Sequence, residues 1–194
     1  THIIEQNLSI LKGIGFSDQE LIKEMSLCYR EDDYQYLLSH LPALPTQQYV
    51  VIQPTARQAF KCWDDDKFAH VIDNLHQRGL HVYLTCGPAD SEQKQVKRIA
   101  ELCKTSPDLT LAGKTTFLQL AALNDNAVLY IGVDSAPMHM AAALGTPQVC
   151  LFGATNYQQW KPWSDKATVV WAGNYHEMPS RDDLDRSKRY LTWI

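Results

Sequence analysis

Asp134, Ser135 and His139 stand close together in the chain, and their types and spacing suit chemistry on an anionic ligand. The apolar run Ala127–Val133 has the character of a buried strand and breaks at Asp134-Ser135. A small-residue helix from Ala136 to Leu144 then stops at Gly145, and a second apolar strand, Gln148–Phe152, comes next. Such a turn sets a carboxylate, a hydroxyl and the first unpaired amides of a helix at the carboxyl end of a strand. Open α/β sheets hold ligands at such points, and helix amides attract phosphate. His139 comes four residues after Ser135, on the same helix face, and points back toward the helix start. A purely structural reading stands beside this one, with Ser135 as N-cap, Pro137 in the first turn and Asp134 as a turn former.

A scaffold must present these residues, and the pattern from Tyr49 onward supplies one. Strand Tyr49–Gln53 leads through a polar loop to helix Trp63–Arg78, and strand His81–Thr85 leads through Gly87-Pro88 to helix Ser91–Cys103. A short strand Leu109–Leu111 precedes helix Thr116–Asn124, which opens with a capping box of Thr116 and Gln119. After the Asp134 unit come strand Ala167–Trp171 and a closing helix Asp182–Trp193, acidic at its start and basic at Lys188 and Arg189, as the macrodipole favours. Strands alternating with helices predict a Rossmann-like doubly wound parallel sheet over 49–194. Its strand-end loops would gather Thr55, Gly87, Lys114, Asp134 and Gly153 along one edge. Residues 1–48 form a helical N-terminal segment and linker, with His2–Leu11 amphipathic through Ile3, Ile4, Leu8 and Leu11, and with Pro42 and Pro45 as punctuation.

At 194 residues, 45% hydrophobic and 21% charged, the chain has enough apolar material for one full core with an appendage. A formal net charge of −4 and the lack of a basic stripe argue against nucleic acid as a partner. No apolar run is long enough to span a bilayer, which leaves at most peripheral membrane contact. The start carries no signal-peptide pattern, and its opening on Thr1 in helical register points to a piece of a longer protein. The five cysteines, at 28, 62, 86, 103 and 150, are odd in number and widely spaced, as expected of reduced thiols in a cytoplasmic protein without a zinc site. The turn QPTARQAFKCW lacks the three glycines of a dinucleotide-binding turn, no P-loop exists, and Ser135 lacks the flanking glycines of a nucleophile elbow. What remains is a sheet edge with hydroxyls, Lys61, Lys114, a carboxylate and helix-start amides, a set suited to a diphosphate-linked ligand.

Three segments carry a family resemblance: QPTARQAFKCWDDDKF at 53–68, TCGPADSEQ at 85–93, and YIGVDSAPMHMAAALGTPQVCLFGAT at 130–155 with WKPW close behind. Together they resemble the C-terminal, donor-binding half of the lipopolysaccharide heptosyltransferases of glycosyltransferase family 9, and the ARQxFKCW stretch narrows the likeness to the heptosyltransferase III subfamily. The resemblance implies the C-terminal domain of a GT-B enzyme, with ADP-heptose as donor, an inner-core heptose of lipopolysaccharide as acceptor, inversion at the anomeric carbon and no metal or other cofactor. It implies an N-terminal domain that carries the general base, an aspartate, and a cytoplasmic location at the inner face of a Gram-negative inner membrane. Residue by residue, it gives Asp134 and Lys61 catalytic roles on the donor. Ser135 and Ala136 become phosphate-facing amides, His139 the motif histidine, Thr55 part of the first loop, and Glu92 and Thr115 neighbours of ribose and adenine. Gly87 and Lys114 complete the substrate-binding set. One departure is visible, since the loop from Arg57 to Lys61 is a residue longer than in other heptosyltransferases. The alternatives are another GT-B nucleotide-sugar enzyme, a nucleotide-sugar epimerase, or a binding module that kept the fold without the chemistry.

Other residues suit plainer roles. Trp160, Trp163, Trp171 and Trp193 read as packing residues and Cys86 as a buried thiol, while His70 and His76 share a solvated face with Lys67 and Arg78. The charges at 181–189 read as helix surface, with Asp182 paired to Arg186 and Asp185 to Arg189.

Overall fold

The computed structural model describes residues 1–194. Its centre is a sheet of five parallel strands, side by side in the order His81–Leu84, Tyr49–Gln53, Leu129–Val133, Gln148–Phe152 and Ala167–Trp171. Two helices come first in the chain, α1 (Ile3–Gly13) and α2 (Glu31–His40), ahead of β1 (Tyr49–Gln53). The chain then runs through α3 (Asp65–Gln77), β2 (His81–Leu84), α4 (Asp90–Leu102), α5 (Phe117–Asp125), β3 (Leu129–Val133), α6 (Ala136–Leu144), β4 (Gln148–Phe152), the single turn α7 (Tyr157–Trp160) and β5 (Ala167–Trp171).

Every residue of β1 is buried, as a parallel strand covered on both faces must be. The period of two divides its side chains between two cores. Tyr49 and Val51 join Leu37 of α2 and Leu41 just after it, Leu120 and Leu123 of α5, and Met138 and Ala141 of α6 on one face. Val50 and Ile52 join Phe68 and Ile72 of α3 and Val96 and Ile99 of α4 on the other. The strand order reverses beside β1, whose neighbours are β2 on one side and β3 on the other. The carboxyl ends of β1 and β3 therefore flank the crevice where a doubly wound sheet binds its ligand.

Several sequence expectations meet a different structure. The N-terminal forty residues are not continuously helical, because residues 14–30 lie outside helix and Gly15 takes a φ of 108° just after α1. Leu37, Leu41 and Leu44 are buried against the sheet, so residues 31–46 share its core. No strand forms at 109–111; a single parallel bridge joins Tyr83 to Asp108, and the Asp108 carboxylate then accepts from the Thr110 amide and turns the chain. The closing helix is absent as well. Ser180 hydrogen-bonds Asp183, and the Asp185 carboxylate accepts from both the amide and the hydroxyl of Ser187. These local bonds compete with helical ones. The expected pairs Asp182–Arg186 and Asp185–Arg189 are replaced: Lys188 faces Asp185 at 3.7 Å, while Arg189 reaches back to Asp65 at 3.3 Å and donates to the Trp63 carbonyl at 2.8 Å. Leu191 is fully buried in the core cluster of α3 and α4, which ties this irregular tail down.

The tryptophans divide. Trp171 packs on Tyr157 and donates to the Gly153 carbonyl at 3.1 Å, and Trp163 lies against His2. Trp160 is 38% exposed, contrary to a core role, and Trp193, 52% exposed, stacks on His176 at 4.0 Å on the surface. His70 is solvated as expected, but His76 is half-buried, and burial lowers its pKa.

Candidate functional site

The site grows from two strand ends. At β3, Val133 is fully buried and the chain turns at Asp134, which is 6% exposed. Ser135 is extended at φ −153° and ψ 167°, and α6 begins at Ala136 with Pro137 in its first turn. The structural reading of Ser135 fails here, because its hydroxyl caps nothing and instead donates back to the Val133 carbonyl at 3.2 Å. Pro137 has no amide to offer and Met138 N donates to the Ser135 carbonyl at 3.2 Å, so the Ala136 amide, the first of α6, is the one left for a ligand. The other end of α6 is closed by Gly145 at φ 72°, a left-handed cap that a side chain would strain.

At β1, the chain passes through Pro54 and Thr55 into a short 3-10 turn, Ala59–Lys61. Lys61 reaches the neighbouring strand end, with its ammonium 2.7 Å from Asp134 Oδ2. The pair is largely sequestered, so neither charge is readily removed: breaking a buried pair by deleting one partner costs about 3–5 kcal/mol.

A polar chain links these ends to β2. The Thr85 hydroxyl donates to Gln53 Oε1 at 2.7 Å, Gln53 Nε2 donates to the Thr55 hydroxyl at 2.8 Å, and that hydroxyl donates to Glu92 Oε2 at 2.5 Å. The Gly87 amide also donates to Glu92 Oε2, at 2.9 Å. Glu92, at the start of α4, is thereby held over the strand ends.

One cleft of about 600 Å³ joins all of this. Of the residues that the sequence singles out, it is lined by Thr55, Lys61, Gly87, Glu92, Thr115, Asp134, Ser135 and Ala136. Two stand outside the lining. Lys114 is exposed, and its carbonyl accepts from the Tyr36 hydroxyl at 3.1 Å. His139 sits half-buried behind the rim, where burial first, then His2 and Lys61, lower its pKa against the pull of Asp134. Gly153, expected along the same edge, is covered by the C-terminal tail, since a side chain there would meet Tyr190.

The cleft also uses residues that the sequence did not single out. Gln53, Arg57, Phe117, Leu120 and Pro137 all line it. Gln53 carried a signal, being the one polar residue of an otherwise apolar strand. Cys86 lines the cleft too, as a protonated thiol, because burial and then Glu92 push its pKa up to about 12. Together these features make a polar floor with a cation–carboxylate pair and a helix start on the β3 side, and an apolar wall of Cys86, Pro88, Phe117 and Leu120 toward α4 and α5.

The profile of glycosyltransferase family 9 (heptosyltransferase) matches residues 1–191, and the chain belongs to that family. It is 52% identical over 195 residues to lipopolysaccharide heptosyltransferase 3 of Escherichia coli strain K12, covering 100% of this chain and 56% of that one. The chain thus spans about half the length of the curated relatives it matches, and corresponds to their C-terminal half. Among solved structures, a family 9 glycosyltransferase from Veillonella parvula DSM 2008 superposes with a TM-score of 0.84 at 23% identity, over 100% of this chain and 56% of that chain. The ADP-heptose lps heptosyltransferase II of E. coli superposes with a TM-score of 0.66 at 24% identity, over 80% of this chain and 47% of that chain. These likenesses establish the Rossmann-like fold expected from the sequence, that of one domain of a GT-B enzyme.

Proposed function

We propose that this chain is the donor-binding half of an ADP-heptose-dependent heptosyltransferase that adds heptose, with inversion, to an inner-core heptose of lipopolysaccharide. The observation that carries the reading is the uncapped start of α6 beside the Lys61–Asp134 pair, at the point where the strand order reverses. A nucleoside diphosphate suits this cleft: phosphate against the Ser135 and Ala136 amides and Lys61, ribose hydroxyls toward Glu92, and base along the apolar wall near Thr115 and Phe117. The names of the relatives supply the sugar and the pathway.

The chemistry follows from charge. As the sugar–phosphate bond breaks, negative charge grows on the departing diphosphate. Amides and an ammonium already fixed in place stabilise that charge more than they stabilise the intact donor. The Lys61 ammonium has three donors, so it can hold Asp134 and still meet a phosphate oxygen. Asp134 keeps Lys61 in place and presents its carboxylate to the donor side of the cleft. His139, held toward the neutral form, supports the rim without adding charge. Asp134 is engaged with Lys61 on the donor side and His139 lies outside the cleft lining, so this reading assigns the base to a second, N-terminal domain. No step calls for a metal or other cofactor, and transfer by the full-length enzyme should survive chelation with EDTA.

With a nucleotide sugar as donor and a lipid-anchored saccharide as acceptor, this reading puts transfer at the cytoplasmic face of the inner membrane. No helix here is long and apolar enough to cross a membrane, so any attachment through this half is peripheral. A salt wash that fails to release the enzyme from membranes would oppose that.

The test of the donor is thermal unfolding of the 194-residue chain with ADP-, UDP- and GDP-sugars, since a ligand that binds only the folded state raises the midpoint. ADP-heptose should raise it most. A larger rise with a UDP- or GDP-sugar would favour another GT-B enzyme or an epimerase. This chain alone should transfer no heptose to deacylated acceptor, and transfer should appear when a separately expressed N-terminal half is added. Transfer by this half alone would refute the division of labour.

A further inference from the structure

Four charged side chains line the cleft: Arg57, Lys61, Glu92 and Asp134. Two cations face two carboxylates, so the side chains offer a dianionic ligand no net attraction. Their availability differs, however. Lys61 is bound to buried Asp134 at 2.7 Å, and pulling it away would strand a carboxylate in the interior. Glu92 is held by the Thr55 hydroxyl and the Gly87 amide. Arg57 alone is exposed and in no ion pair, on the loop between β1 and the 3-10 turn that carries Lys61. Turning it inward breaks no bond.

We infer that Arg57 is a diphosphate-binding residue, which closes over the ligand and supplies the positive charge that the Lys61–Asp134 pair cannot. This rests on the nucleoside-diphosphate reading of the cleft and adds the residue that gives it net charge. A guanidinium suits the role, because its planar fork takes two phosphate oxygens at once where an ammonium acts as a point charge. The β1 loop then does two jobs: Lys61 holds the buried carboxylate and lends one donor to a phosphate oxygen, and Arg57 adds the net positive charge.

Titration calorimetry of the 194-residue chain with pyrophosphate, ADP and adenosine separates this inference from the reading beneath it. Arg57→Ala should weaken ADP and pyrophosphate at least about tenfold, the scale of a lost charge-assisted hydrogen bond, and leave adenosine unchanged. Arg57→Lys should recover only part of the loss, and Arg78→Ala, an exposed cation away from the cleft, should change nothing. ADP affinity within twofold of wild type in Arg57→Ala would overturn the role of Arg57 while the nucleotide reading stands. An equal loss of adenosine would also overturn it, by showing a change of shape rather than of charge. Arg57-dependent binding of pyrophosphate without binding of ADP would uphold Arg57 and sink the nucleotide. If the wild-type chain binds neither pyrophosphate nor ADP, both ideas fall.

Discussion

Two segments of this chain begin alike, with aspartate and serine ahead of residues that can form a helix, and end as opposites. At 134–144 the aspartate is buried, the serine leaves the helix uncapped, and a regular helix runs to Gly145. At 180–193 the aspartates are exposed, the serines bind them, and no helix forms. The packing behind each aspartate decides the outcome. Met138 and Ala141 plug into the core on one face of the sheet, whereas the tail buries only Leu191 fully, in the core on the other face, with Ile194 partly packed beside it. An aspartate with a helix packed behind it is pinned at a strand end and given a cation. Without that support its carboxylate satisfies itself on the nearest amide and hydroxyl.

The sharpest break of this contrast is at the buried pair. In the full-length enzyme, Lys61→Ala should lower turnover by about two to three orders of magnitude, the scale for one lost charge-stabilising donor, and Asp134→Ala at least as much. Steady-state rates near wild type for either variant would mean that the pair is only structural. Next comes the anchor of the tail. Leu191→Ala should cost about 2–5 kcal/mol in chemical denaturation, as for a fully buried leucine, although it lies in the irregular segment. A loss under about 0.5 kcal/mol would show that the tail is not tied down.

A smaller effect is expected at His139. Its folded-state pKa lies below the ordinary 6.5, with burial as the main cause. Below 6.5 the unfolded chain therefore binds the proton more readily than the folded one. The stability due to neutral His139 is complete above that value and is lost as pH falls from 6.5 toward the folded pKa. Denaturation between pH 7.5 and 5 (about one unit to either side of the histidine range) should show a fall that is shallower in His139→Gln, and an unchanged slope would contradict the shift. Smallest of all, Lys188→Ala should leave the unfolding midpoint unchanged, because its partner Asp185 is exposed and lies 3.7 Å away.

The amino-acid sequence by itself determined the parallel sheet, each of its five strands and the Thr116–Gln119 capping box, and eight of the ten residues that the strand-end pattern and the family resemblance singled out line one cleft. These features are local: period-two burial, cap chemistry and turns at strand ends are written in neighbouring residues. Only the tertiary structure decided the rest. It turned Lys114 to solvent and set His139 behind the rim, it joined Lys61 to Asp134 across two strand ends, and it brought in Gln53, Arg57 and Phe117. It also unmade a helix whose charge pattern looked sound, because capping and charge pairs contribute well under a kcal/mol to about one each, while the burial of a leucine such as Leu191 outweighs them. Side chains far apart in the chain meet only when the sheet order brings their strands together, and no spacing along the chain records that.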